Sequence, residues 1–158
     1  MFALLNRYGQ PFSLGIFDID HFKQINDAKG HLFGDRTLKS VARTISNGVR
    51  ETDVVARYGG EEFVVIMPHT DLDGACIFAD RVCIAVRDSL PLTISGGVAH
   101  AIDGDNAQTL LARADSALYG AKAAGRNRVY KHTGLEIEPV SAPTPEVVPA
   151  TNGVKATS

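Results

Sequence analysis

Val54–Met67 reads VVARYGGEEFVVIM: two apolar runs, Val54–Tyr58 and Glu61–Met67, on either side of the pair Gly59-Gly60. Strand-like runs of this length broken by two glycines predict a β-hairpin. Upstream, Ser13–Asp20 (SLGIFDID) is nearly continuously apolar and ends in acid, the pattern of a buried central strand. Between the two, the spacing predicts a short helix over Phe22–Ala28, stopping at Gly30. A longer one follows over Gly34–Gly48, where Leu38, Val41, Ala42 and Ile45 recur at helical intervals. Downstream come a helix over Asp73–Ser89, a strand over Leu92–Ala99, a helix over Ala107–Ala124 and a short strand over Asn127–Lys131. Strands interleaved with helices, plus one hairpin, predict a single α/β sandwich with a mixed or antiparallel sheet flanked by helices.

The chain's 158 residues suffice for one domain with a real core. From about Glu136 the sequence carries Pro139, Pro143, Pro145 and Pro149 with little apolar periodicity. The expected division is therefore a folded domain over 1–132 and a flexible Pro-rich tail or linker over 133–158. A net charge of −2 gives no electrostatic footprint for a nucleic acid polymer or an anionic membrane. No apolar stretch approaches the ~20 residues of a membrane span, and the run at Met1–Leu5 is short for a signal peptide. Cys76 and Cys83 fall on one predicted helix, about 10 Å apart along its axis and beyond disulfide reach. Free packed thiols fit a reducing cytosol, so the expected location is cytoplasmic.

Two acidic clusters stand at strand ends. Asp18 and Asp20, two apart, project from one face; Glu61-Glu62 follow the glycine pair. A hairpin lying beside the first strand brings Glu61 near Asp18. Two carboxylates and a backbone carbonyl make a hard oxygen site suited to magnesium that also binds substrate phosphates. Either cluster alone reads as a solvated acidic turn; the pair makes a site.

Arg57-Tyr58-Gly59-Gly60-Glu61-Glu62-Phe63 resembles the signature of GGDEF domains in its GGEEF form. Phe17-Asp18-Ile19-Asp20-His21-Phe22-Lys23, with Ile25-Asn26-Asp27, Gly30-His31 and Gly34-Asp35, is similar to the family's first signature at its usual spacing. Ala117-Leu118-Tyr119, Ala121-Lys122 and Gly125-Arg126-Asn127 are similar to its third. The resemblance runs from about Arg7 to His132 and implies a nucleotide-cyclase or polymerase-palm-like fold. It implies a diguanylate cyclase: a nucleotidyltransferase joining two GTP into cyclic di-GMP across a homodimer.

Carried over residue by residue, the resemblance implies that Asp18, the Ile19 carbonyl and Glu61 bind two Mg2+ per half-site, with Mn2+ a permitted substitute. It makes Glu62 the group that assists deprotonation of the attacking 3′-hydroxyl. Asn26 and Asp35 read guanine. Lys122 and Arg126, one helical turn apart and expected on one face, hold the β- and γ-phosphates. Amides near His21 and Phe22 add phosphate donors, and Gly59 and Gly60 allow close approach of the nucleotide.

Arg50-Glu51-Thr52-Asp53 resembles the family's RxxD inhibitory site for cyclic di-GMP, with Arg81 as a second arginine. Arginine suits it: its planar fork bonds a guanine edge and stacks on the base. Three features depart from the family. No helix with a DxLT-like motif precedes Arg7, which suggests an excised piece. Arg87–Thr93 is short where many members carry a longer hairpin, and Gly96 stands at a strand position usually apolar. Two alternatives remain: an inactive GGDEF module that binds GTP or cyclic di-GMP for a partner, and a cyclase using adenine, against which Asp35 speaks.

Overall fold

A computed structural model describes residues 10–140. In chain order the elements are β1 (Phe12–Ile19), α1 (Phe22–Lys29), α2 (His31–Gly48), β2 (Val54–Arg57), β3 (Glu62–Pro68), α3 (Leu72–Ser89), β4 (Ile94–His100), α4 (Ala107–Ala123), β5 (Val129–His132) and β6 (Ile137–Pro139). The strands form one sheet in the order β2-β3-β1-β4-β5-β6. Every neighbouring pair is antiparallel except β4–β5, so the sheet is mixed.

β1 is buried along its whole length, and its alternation divides the core. Phe12, Leu14 and Ile16 face Leu110, Ala114 and Leu118 of α4. Phe17 and Ile19 face the opposite layer, with Val41 and Ile45 of α2 and Phe78, Ala79 and Val82 of α3. Phe17 and Phe78 meet edge to face at 6.3 Å. Burying each such large apolar side chain contributes roughly 1.5–3 kcal/mol, which makes β1 the rigid spine of the molecule. A Cβ on Gly97 would lie 2.2 Å from the Ala114 carbonyl, so glycine there lets β4 touch α4. Gly96 has a related reason: the Phe17 ring would stand 3.1 Å from its Cβ. The aromatic ring fills the volume that a side chain on Gly96 would need.

Three expectations need correction. α2 begins at His31, not Gly34, because Gly30 (φ 86) ends α1 and its carbonyl accepts the Gly34 N–H. The hairpin loop is longer than the glycine pair, running from Tyr58 to Glu61 between the strand ends. The folded region does not end at His132. A turn at Thr133–Glu136 reverses the chain into β6, which pairs with β5, and Val140 packs against the core. A proline at a strand end on a sheet edge costs the ladder nothing, so Pro139 marks an edge strand and not the start of a linker. Residues 141–158 of the expected tail lie outside the described residues.

Cys76 and Cys83 are both buried and free on α3. Burial pushes the Cys76 thiol up to about 11 and Cys83 further still, which keeps both protonated and inert. Among the described residues no helix is long and apolar enough to cross a membrane.

Candidate functional site

The period-2 stripe Phe12, Leu14, Ile16 continues to Asp18, where α4 presents Lys122 from its last turn instead of an apolar side chain. Asp18 Oδ2 accepts a hydrogen bond from Lys122 Nζ at 2.7 Å; the side chains are 6% and 32% exposed. Across the ladder Asp18 stands opposite Glu62, and the Ile19 N–H donates to the Glu61 carbonyl at 3.3 Å. The hairpin therefore does lie beside β1, and it brings both glutamates to Asp18. Burial, then the charge of Asp18, raises the pKa of Glu61 and of Glu62. One lysine among three carboxylates leaves net negative charge at a partly desolvated strand end.

A cavity of about 230 Å³ opens here, lined by Asp18, Ile19, Asp20, His21, Glu61, Lys122, Arg126 and the first residues of α1, Phe22–Gln24. The chain turns from β1 into α1 through His21 in a left-handed conformation (φ 56), and no side chain caps the helix. Its first-turn amides are thus free of a side-chain acceptor beside the cleft. A helix start of this kind attracts anions through its N–H groups and dipole.

Lys122 and Arg126 do not share a helical face. α4 ends at Ala123, and Arg126 (φ 63) lies in the loop beyond. Gly125 N–H returns to the Lys122 carbonyl and Arg126 N–H to the Ala121 carbonyl, a glycine-terminated helix end. That reversal carries Arg126 to the same cavity as Lys122. Asp20 was expected beside Asp18 and borders the cavity too, but its oxygens accept from Thr93 Oγ1 (2.6 Å), Ser95 Oγ (2.6 Å) and the Asn127 amide (3.0 Å).

The hairpin loop is held by Arg57, whose guanidinium donates to the carbonyls of Gly59 (3.2 Å) and Gly60 (2.6 Å). Neither glycine has a positive φ, and a Cβ on Gly60 would meet nothing within 4 Å. The fold itself gives Gly60 no reason to be glycine. The holding role of Arg57 was not read from the sequence, because a lone arginine beside a turn carries no pattern.

Asn26 and Asp35 lie off the cavity, at the corner where α1 meets α2. A Cβ on Gly34 would fall 1.7 Å from Asn26 Oδ1, so glycine there admits the Asn26 side chain. Asn26 Oδ1 is buried without a hydrogen-bond partner, and Asp35 is exposed just beyond it on α2. An orphaned acceptor is costly.

At the other end of α2, Arg50 and Asp53 are bound to each other through the backbone. Arg50 N–H donates to Asp53 Oδ2 (2.8 Å) and Asp53 N–H to the Arg50 carbonyl (3.0 Å). Arg81 Nη2 reaches the Gly48 carbonyl at 3.2 Å, and it borders two hollows of about 570 and 660 Å³ on either side of α3. Arg81 thus reaches the end of α2 two residues before Arg50, and Asp53 leads into the end of β2 away from the hairpin loop that carries the cleft's glutamates. Asp53 Oδ1 is buried and unpartnered.

The donor set at Asp18 fits magnesium. Carboxylates and a strand-end carbonyl are hard oxygens, and burial with the neighbouring Asp18 charge disfavours the ionised forms of Glu61 and Glu62 when no cation is beside them. Among the described residues no group of three or more His, Cys, Asp or Glu forms a ready cage. Magnesium commonly shares its shell with substrate phosphates, so a partial set suits it.

The family model described as "Diguanylate cyclase, GGDEF domain" matches residues 2–128. The chain is 43% identical over 140 residues to diguanylate cyclase VdcA of Vibrio cholerae, covering 82% of this chain and 41% of that protein. It is 47% identical over 132 residues to the response regulator PleD of Caulobacter vibrioides, covering 77% and 29%. The chain thus spans well under half the length of these two relatives. Among solved structures, the GGDEF domain of DgcB from Caulobacter crescentus in complex with c-di-GMP superposes with a TM-score of 0.77 at 33% identity, covering 82% of both chains. The active GGEEF domain of a diguanylate cyclase from Vibrio cholerae gives 0.78 at 32% identity, covering 83% of this chain and 88% of that one.

Proposed function

We propose, from the premise that this chain belongs to the GGDEF diguanylate cyclase family, that it condenses two GTP into cyclic di-GMP with release of two pyrophosphates. The observation that carries the reading is the convergence of Asp18, Glu61, Glu62, Lys122 and Arg126 on one strand end beside an uncapped helix start. Asp18, Glu61 and the Ile19 carbonyl are the groups to hold Mg2+, two ions per half-site. Bound there, the metal supplies charge neutralisation at the reacting phosphate and lowers the pKa of a coordinated hydroxyl.

The chain's own groups do the rest. The first-turn amides of α1, with Lys122 and Arg126, bind the β- and γ-phosphates. Asn26 and Asp35 hydrogen-bond the guanine base, and Gly60 leaves room for the nucleotide above the hairpin. Glu62, a stronger base than an ordinary glutamate for the reasons given, assists removal of the 3′-hydroxyl proton. The 3′-oxygen of one GTP forms a bond to the α-phosphorus of the other while the bond to the β-phosphate oxygen breaks and pyrophosphate leaves. Two such steps close the ring. One cleft offers one set of these groups, so the reaction requires a homodimer with two clefts face to face. Arg50, Asp53 and Arg81 form a product site for inhibition.

Incubation of an enforced dimer of the chain with GTP and Mg2+, with product identification by mass spectrometry, tests the reading. Cyclic di-GMP and two equivalents of pyrophosphate are expected. A folded dimer that binds GTP or cyclic di-GMP yet makes no product would replace the enzyme with a binding module.

A further inference from the structure

We propose that Asp20 is the positioning residue of the phosphate clamp, locking the loop that carries Arg126 to the strand end that carries Asp18; this rests on the cleft being a nucleotide site. Asp20 is 4% exposed, and the three donors on its carboxylate are neutral: Thr93 Oγ1, Ser95 Oγ and the Asn127 amide. A buried carboxylate without a cation is an expensive way to join segments, so its geometry is what it contributes. The chain leaves α4 through Gly125 (φ 121), Arg126 (φ 63) and Asn127 (φ 49). Left-handed backbone is disfavoured for most residues that carry a Cβ, Asn being a common exception, so Arg126 is the residue of this loop that needs restraint.

Two ties reach the end of this loop from the sheet. One is the Asn127 N–H on Asp20 Oδ2 at 3.0 Å; the other is the Gly96 N–H on the Arg128 carbonyl at 2.9 Å. Only the first connects to the acidic cleft. Asp20 follows Ile19 directly, and its own N–H donates to the Thr93 carbonyl at 3.0 Å, so both its main chain and its side chain are fixed. Asp20 therefore sets the spacing between the acids at the strand end and the guanidinium of Arg126. Arg126 keeps its N–H on the Ala121 carbonyl and its carbonyl on the Arg128 guanidinium, so losing Asp20 removes its register with the acidic strand end while leaving the corner at Asn26 and Asp35 untouched. The signature is selective: weaker binding of the triphosphate, unchanged binding of the nucleoside monophosphate.

The experiment is equilibrium titration of the full chain, with Mg2+, using GMP and a GTP analogue with a methylene between the α- and β-phosphorus atoms. Asp20→Ala should weaken the analogue about tenfold, the scale of one hydrogen bond to a charged group, and change GMP by less than about twofold. Asp20→Asn should restore the analogue: its carbonyl keeps the Asn127 amide, and its amide group donates to the Ser95 hydroxyl, which can also accept. In an Arg126→Ala background, Asp20→Ala should cost less than about twofold more, because coupled sites are not additive. Equal losses for the analogue and GMP, or a full additional loss beside Arg126→Ala, would overturn the proposal. If Arg126→Ala itself fails to separate the analogue from GMP, the phosphate reading of the cleft falls first and this proposal with it. Should Asp20→Ala not fold, Thr93→Val strips the 2.6 Å hydroxyl from the same Oδ2; a selective loss of the analogue supports the proposal and a uniform loss sinks it.

Discussion

The acidic cleft and the Arg50–Asp53 turn are both built from arginine, lysine and acids, yet the fold uses them differently. At the turn, Asp53 Oδ2 holds the Arg50 amide and Arg81 holds the end of α2, so these groups have local work and the structure alone accounts for much of their presence. At the cleft, Glu61 and Glu62 have raised pKa values, so the ionised carboxylates cost stability without an internal return. The difference teaches where function is legible. Residues that the fold does not need, and is even destabilised by, point to a ligand; residues that the fold already employs point to one only through their pattern.

Removing a group from the cleft gives the sharpest test of that contrast. Asp18→Ala or Glu61→Ala in an enforced dimer should lower cyclic di-GMP formation on the order of 10²–10³-fold or more, the scale of losing a main electrostatic stabiliser. Asp53→Ala should leave the rate with saturating GTP and freshly removed product within about threefold, since a turn contact contributes stability and not charge at the reacting phosphate. Product quantified by chromatography decides. A similar fall for Asp53→Ala would erase the distinction between the two regions.

Base selection separates them next. Asp35→Ala should weaken GTP by roughly ten- to a hundredfold and leave ATP unchanged, because a charged acceptor for the guanine edge contributes about 1.5–3 kcal/mol. Competition titration with both nucleotides reads it, and wild-type protein that binds ATP as well as GTP would remove Asn26 and Asp35 from the site. The turn should show the converse. Arg50→Ala should weaken cyclic di-GMP about tenfold with GTP unaffected, one charge-assisted contact being lost at an exposed position. Equal cyclic di-GMP affinities for wild type, Arg50→Ala and Arg81→Ala would reduce the motif to a helix end and a turn.

Much of this was legible in the sequence because it rests on short-range pattern. The continuous apolar run of β1 ending in Asp18, and the glycine pair between two strand-like runs, place the cleft's acids on adjacent strands. The proximity of Glu62 to Asp18 follows from register. What escaped depended on a few backbone angles. A positive φ at Gly125, Arg126 and Asn127 takes Arg126 off the helix, so the i, i+4 spacing with Lys122 had a different meaning from the one periodicity assigns. β6 was hidden because proline density reads as linker, whereas one proline at the edge of a sheet is compatible with pairing. The tie from Asp20 to Asn127 spans most of the chain, and no local pattern announces it.

The smallest effect is a reversal of sign in stability between the two regions. Glu61 has a folded-state pKa above its unfolded value of 4.5. A raised folded-state pKa means the folded state binds the proton more tightly, so its contribution is favourable below about 4.5 and lost as pH rises through the folded value. At neutral pH the ionised Glu61 therefore costs stability. Glu61→Gln should raise Tm at pH 7 by roughly 1–3 °C, a small figure because the group is partly exposed and screened, and this gain should vanish as pH is brought below about 4.5. Asp53→Ala should do the opposite at pH 7, lowering Tm by roughly 2–4 °C, since it removes the acceptor of the Arg50 amide, a contact of about 1 kcal/mol. Thermal unfolding of the two variants at pH 7 and pH 4, beside wild type, measures both signs. If Glu61→Gln destabilised the protein at pH 7 as Asp53→Ala does, the cleft's carboxylate would be part of the scaffold, and its presence would no longer argue for a bound cation.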